Sequence, residues 1–90
     1  MYSLKPTPVE VSKQLAERLR AVRRQMKYSQ EEMADRAGVS LGSLKRFERT
    51  GKISLESLLK LMHLLDRLHE FDHVLLIREN PADLEKLFSK

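Results

Sequence analysis

Ninety residues, 41% of them hydrophobic, allow one small domain with one modest core. The absence of cysteine excludes disulfides, thiolate metal sites and cysteine nucleophiles, and the longest apolar run, Val74 to Ile77, is far too short to span a bilayer. A net charge of +4 is unevenly spread: eleven Lys/Arg against five Asp/Glu from Lys13 to Lys52, then five against seven from Ile53 to Lys90.

Residues 1–10 read as an N-terminal arm and the cap of a first helix, without the apolar core of a leader peptide, so a soluble cytoplasmic protein with no membrane partner is expected. Thr7-Pro8 is a cap followed by proline at the first helical position, and Glu10 completes a capping-box pattern. Leu15, Leu19, Val22 and Met26 then make one apolar stripe, predicting a helix from Pro8 or Val11 to Met26. Its far face carries Lys13, Glu17, Arg20, Arg24 and Lys27.

Ser29 with Glu32 opens a second, short helix, which Gly38 ends in the left-handed conformation. Ser40 caps a third helix, ended by Gly51. Ser54 caps a fourth, with Leu55, Leu58, Leu59, Met62 and Leu65 expected to face inward. After a break, Leu68, Phe71, Leu75 and Leu76 suggest a fifth helix, and Asn80-Pro81 with Asp83 starts a last one with Leu84, Leu87 and Phe88 as its stripe. The expected fold is all-α, with five or six short helices. Residues 11–75 would form the main domain and 76–90 a C-terminal helical extension.

The stretch from Ser29 to Gly51, SQEEMADRAGVSLGSLKRFERTG, carries the functional signal. Two short helices meet at the tight turn Gly38-Val39-Ser40. Ala34 is small where they would cross, and Val39, Leu44 and Phe47 point inward to lock the crossing. Those demands describe a helix-turn-helix, whose second helix enters the DNA major groove. The wet face of that helix would be Leu41, Gly42, Ser43, Lys45, Arg46 and Arg49, with Ser40 at its start. Short side chains followed by long cations suit close entry with phosphate contacts on either side. Arg18, Arg20, Arg24 and Lys27 read first as a solvated face, with Arg20 or Arg24 able to graze phosphate as the second reading.

At these residues the chain resembles the Xre/Cro family of phage-repressor-type helix-turn-helix domains. Ser-Gln opens helix 2, Ala-x-x-x-Gly-Val-Ser crosses the turn, and a glutamate lies near the end of helix 3. The resemblance implies a lambda-repressor-like fold that binds double-stranded operator DNA as a homodimer and represses transcription, with no cofactor, no metal and no catalysis. By the same resemblance Gln30 would touch a phosphate and brace helix 3. Leu41, Gly42, Lys45 and Arg46 would face base edges, Lys52 would meet the DNA backbone, and Arg23 and Glu48 would form a structural ion pair. The chain departs from the family at Leu41-Gly42, where many members carry glutamine or threonine. Readout would then lean on Ser43, Lys45 and Arg46, with Arg46 able to grip guanine in bidentate fashion, and on DNA shape.

With Tyr2-Ser3 near the start, Phe47-Glu48, its compact length and the stretch LKRFERTGKISLESLLKL, the chain is also similar to the HipB-like antitoxins, which implies repression of its own operon and a HipA-type kinase toxin as partner. A protein-interaction module that kept the fold and lost DNA binding is the rival reading. Leu75, Leu76, Leu84, Leu87 and Phe88 would either close the core or supply a dimer patch.

One motif points elsewhere. His69-Glu70-Phe71-Asp72-His73 matches the zinc-protease pattern H-E-x-x-H and would place two histidines on one helical face. The extended pattern asks for glycine at 76 and histidine at 79, where the chain has Leu76 and Glu79. Glu79, Asp66 or Asp72 could supply a carboxylate as third ligand, but Phe71 and the neighbouring leucines read as the stripe of a core-facing helix, so the match is read as accidental.

Overall fold

The computed structural model describes residues 5–77. Within them the chain forms a four-helix, all-α bundle: α1 is Pro8–Gln25, α2 Gln30–Ala37, α3 Leu41–Thr50 and α4 Leu55–Leu64. A single 3-10 turn, Leu68–Phe71, follows. The last predicted helix, with Leu84, Leu87 and Phe88, lies outside the described residues, as do residues 1–4 of the arm.

Each α-helix starts at a hydroxyl side chain that accepts an otherwise orphaned backbone N–H. Thr7 Oγ1 accepts from the Glu10 N–H, and the Ser29, Ser40 and Ser54 hydroxyls accept from Glu32, Ser43 and Ser57. Thr7 in turn donates its hydroxyl to the Glu10 carboxylate at 3.0 Å. The Glu32 carboxylate turns instead to Arg36, at 3.5 Å. Both glycine stops adopt positive φ, +75° at Gly38 and +82° at Gly51. Gly51 has a second reason to be glycine. A Cβ there would sit 3.0 Å from the Ser12 backbone carbonyl carbon, so the end of α3 passes directly against α1.

The core is Ala16 and Leu19 from α1, Met33 and Ala34 from α2, Val39 from the turn, Leu44 and Phe47 from α3, and Leu61 from α4. α3 packs on α1 and α2, and α2 also packs on α4. Ala34, the residue expected at the helix crossing, is buried there along with Val39, Leu44 and Phe47.

Three expectations are corrected. On α1 the buried face is Ala16, Leu19 and Arg23, while Leu15 and Met26 are 38% and 41% exposed. The helix is turned so that Arg23, rather than the full leucine stripe, meets α3. On α4, Leu61 is fully buried and Leu55 is 65% exposed: Glu56, Lys60 and His63 share one polar face, and packing against α2 chooses which of the remaining apolar positions lies innermost. The fifth helix is not an α-helix. Asp66 turns left-handed after α4, at φ +58°, and the chain continues as the Leu68–Phe71 3-10 turn, with no buried residue in it. Val74, Leu75, Leu76 and Ile77 are all exposed, so they do not close the core.

That last correction also removes the geometry behind H-E-x-x-H. Residues four apart share a face on an α-helix, whereas 3-10 winding brings i and i+3 together, and Asp72 to Leu75 is turn. Among the described residues no group of three His, Asp or Glu side chains could hold a metal ion, and no helix is long and apolar enough to cross a membrane.

Candidate nucleic-acid interface

A buried polar cluster sets the relative placement of three helices. Arg23 on α1 donates from Nε to Glu48 Oε2 at 2.8 Å and from Nη2 to Glu48 Oε1 at 2.9 Å. Its third nitrogen, Nη1, donates to the Tyr28 carbonyl in the α1–α2 loop at 2.9 Å. Gln30, first residue of α2, donates from Nε2 to Glu48 Oε1 at 3.0 Å. The Arg23 and Glu48 side chains are only 10% and 5% exposed. Such a bidentate pair is geometrically demanding, so α1, α2 and α3 are held in one arrangement. The hydrogen bond to Glu48, aided by its negative charge, raises the Arg23 pKa further, outweighing the burial that opposes it.

Above this cluster lies an open groove of about 560 Å³, lined by Arg20, Arg23, Arg24, Ser29, Gln30, Lys45, Glu48 and Arg49. Arg23 and Glu48 neutralise one another. The other four cations, Arg20, Arg24, Lys45 and Arg49, make no ion pair among the described residues and leave the groove strongly positive. The N-terminus of α2 opens into the same space, adding backbone N–H groups and the positive end of a helix dipole.

The sequence reading missed this grouping. Arg20 and Arg24 sit on what looked like a solvated helix face, yet α1 crosses α3 so that both line the same groove as Lys45 and Arg49. Their spacing of four residues places them on one side of α1. Which neighbour that side meets is not written locally.

The exposed side of α3 divides in two. In its first turn, Leu41 is half-buried and packs against the core. Gly42 is exposed, and a Cβ there would meet nothing within 4 Å. Ser43 is bound back to Ser40: its N–H donates to the Ser40 hydroxyl at 3.1 Å, and its own oxygen accepts from that hydroxyl at 2.7 Å. Thus no long polar side chain stands out from this turn. The later turns present Lys45, Arg46 and Arg49, all exposed. Thr50, which the sequence reading passed over, donates its hydroxyl to the Arg46 carbonyl at 2.7 Å and accepts from the Lys52 N–H at 3.1 Å. It thereby fixes where the chain carrying exposed Lys52 leaves α3.

A helix-turn-helix family model matches residues 19–71. The chain belongs to the helix-turn-helix family. Domains of this family are non-catalytic DNA-binding modules of transcriptional regulators, and the match agrees with the Xre/Cro resemblance without reaching the narrower HipB-like one. No curated protein and no solved structure matches the chain. In this helix-turn-helix domain α2 and α3 are the two motif helices, and α3 occupies the recognition position.

Proposed function

We propose that this helix-turn-helix protein is a sequence-specific, autoregulatory transcriptional repressor that binds operator DNA as a homodimer. The observation that carries this reading is the groove of Arg20, Arg24, Lys45 and Arg49 beside the exposed Lys45-Arg46-Arg49 side of α3. One phosphate strand lies along the groove, with the N-terminus of α2 facing it, while α3 enters the major groove. Gln30 uses one of its two N–H groups on Glu48 and keeps the other for a phosphate oxygen. Base readout falls to Arg46 and Lys45. The first turn, bare at Gly42, lets the helix backbone come close to the DNA. Two protomers would present their helices about 34–36 Å apart, one turn of the duplex. Repression would follow from steric exclusion of polymerase.

The rival reading, a protein-interaction module without DNA binding, draws on that same first turn, where neither Leu41 nor Gly42 offers a base contact. Binding to the DNA upstream of the protein's own gene separates the two. We expect fluorescence anisotropy to show a preference over scrambled DNA that survives a rise in salt. Equal and salt-labile binding to both fragments would defeat the repressor reading. Within a bound site, Arg46→Ala is expected to relax specificity at one base pair, costing about 1–3 kcal/mol there, whereas Gln30→Ala or Lys52→Ala weakens all sequences alike. Uniform loss with Arg46→Ala would remove it as a base reader.

A further inference from the structure

α1 and α4 each carry an apolar stripe that the core takes up only in part. Leu15, Leu19 and Val22 follow one another at helical spacing on α1, and Leu58, Met62 and Leu65 do the same along α4 and its C-cap. Leu19 reaches the core, whereas Leu15 is 38% exposed and the other four are half-buried. α1 packs on α3 and α4 packs on α2, but the two do not pack closely on each other. Between them lies a cleft of about 150 Å³, walled by these six side chains.

Three charged residues complete its lining: Arg18 from α1, and Arg67 and Glu70 from the segment after α4. They are not equivalent. Arg67 donates to the Glu70 carboxylate, so those two satisfy one another. Arg18 has only Gln14, Leu15, Ala21 and Val22 at the helical positions from which an acid could reach it. It makes no ion pair among the described residues. With two arginines against one glutamate, the mouth of an apolar cleft is positive and one guanidinium is open to an anion.

We infer that the cleft binds a small aromatic carboxylate of about the size of benzoate, its ring between α1 and α4 and its carboxylate on Arg18. Size chooses the ring, since apolar cavities of about 150 Å³ accommodate a benzene-sized guest. Met62 adds a sulfur contact that favours an aromatic edge. Charge chooses the head group. A carboxylate matches the planar fork of a guanidinium in bidentate fashion, whereas an ammonium would meet two arginines. Glu70 opposes the anion, but Arg67 already holds it.

The cleft shares no residue with the cationic groove, and Arg18 and Arg20 leave α1 on different sides. Ligand and DNA can therefore occupy the domain together, and the inference does not rest on the repressor reading. By bridging two helices that do not pack closely, the ligand stabilises the fold in proportion to its occupancy.

The test is titration of the full-length chain with benzoate, followed by methyl NMR and by thermal unfolding. Benzoate should shift the methyl signals of Leu15, Leu58 and Met62 with a Kd of about 1 mM or below, and should raise the melting temperature. Acetate, which lacks the ring, and benzyl alcohol, which lacks the charge, should each bind roughly tenfold more weakly. Arg18→Gln, an exposed change that breaks no ion pair, should weaken benzoate by about tenfold and leave the unliganded melting temperature where it was. Glu70→Gln should tighten binding by roughly twofold, because it removes the acid from the mouth and frees Arg67. The proposal is overturned if benzoate leaves the three methyls unmoved, if Arg18→Gln binds as the parent does, or if Glu70→Gln weakens binding. Shifts gathered at Arg20, Lys45 and Arg49 would also overturn it, since they would place an adventitious anion in the cationic groove.

Discussion

The two halves of the domain use apolar residues differently. From Ser29 to Gly51, five hydrophobic side chains (Met33, Ala34, Val39, Leu44 and Phe47) are buried, and each helix boundary has a serine cap or a left-handed glycine. From Ile53 to Ile77 the chain is richer in leucine, yet only Leu61 is fully buried and the 3-10 turn buries nothing. Leucine content therefore says little about how much a segment contributes to the core. A short motif with small residues at its crossing spends its apolar groups inward, whereas α4 has more apolar positions than its packing covers and leaves Leu55 in water.

The sharpest way to break this comparison is to truncate one residue from each half. Phe47→Ala should destabilise the domain by about 3–5 kcal/mol, since it removes a ring that is 1% exposed, whereas Leu55→Ala should lie within about 0.5 kcal/mol. Urea denaturation measures both, and equal losses would dissolve the distinction.

Next in size is Glu48→Ala, expected to cost about 3 kcal/mol, because it strands the Arg23 guanidinium and deprives Gln30 of its acceptor. A midpoint unchanged from the parent would show that the pair does not hold α1 to α3.

Gly42→Ala should act in the opposite direction, raising stability by about 0.5–1 kcal/mol, since neither conformation nor space demands glycine there. Should thermal unfolding move upward while DNA affinity falls, the bare first turn serves the bound state rather than the fold.

The smallest effect belongs to the second half. Arg67 donates to the Glu70 carboxylate, which holds the Glu70 pKa below its ordinary value, with the Arg67 charge adding to the hydrogen bond. A carboxyl with a lowered folded pKa stabilises above its unfolded pKa, and that contribution disappears as pH falls through the folded value. Glu70→Gln should therefore lower the melting temperature slightly at pH 7 and not at all in strong acid. Both side chains are exposed, so solvent screening keeps the difference small. A loss that persists in strong acid would point to some role other than the ion pair.

Legibility follows the range of the interactions. Thr7, Ser29, Ser40 and Ser54 as caps, and Gly38 and Gly51 as stops, depend on groups three or four residues away and were readable in the sequence. The helix-turn-helix was readable for the same reason, since a small residue, a turn glycine and three inward apolar groups lie within fourteen positions, Ala34 to Phe47. What needed the tertiary structure was rotation and encounter. The turning of α1 that buries Arg23 and exposes Leu15, the choice of Leu61 over Leu55, and the inward placement of Leu41 each follow from contact with another helix. So does the meeting of Arg20 and Arg24 with Lys45 and Arg49, more than twenty residues along the chain. Local hydrogen bonds determined where helices begin and end; long-range packing decided which of their faces met.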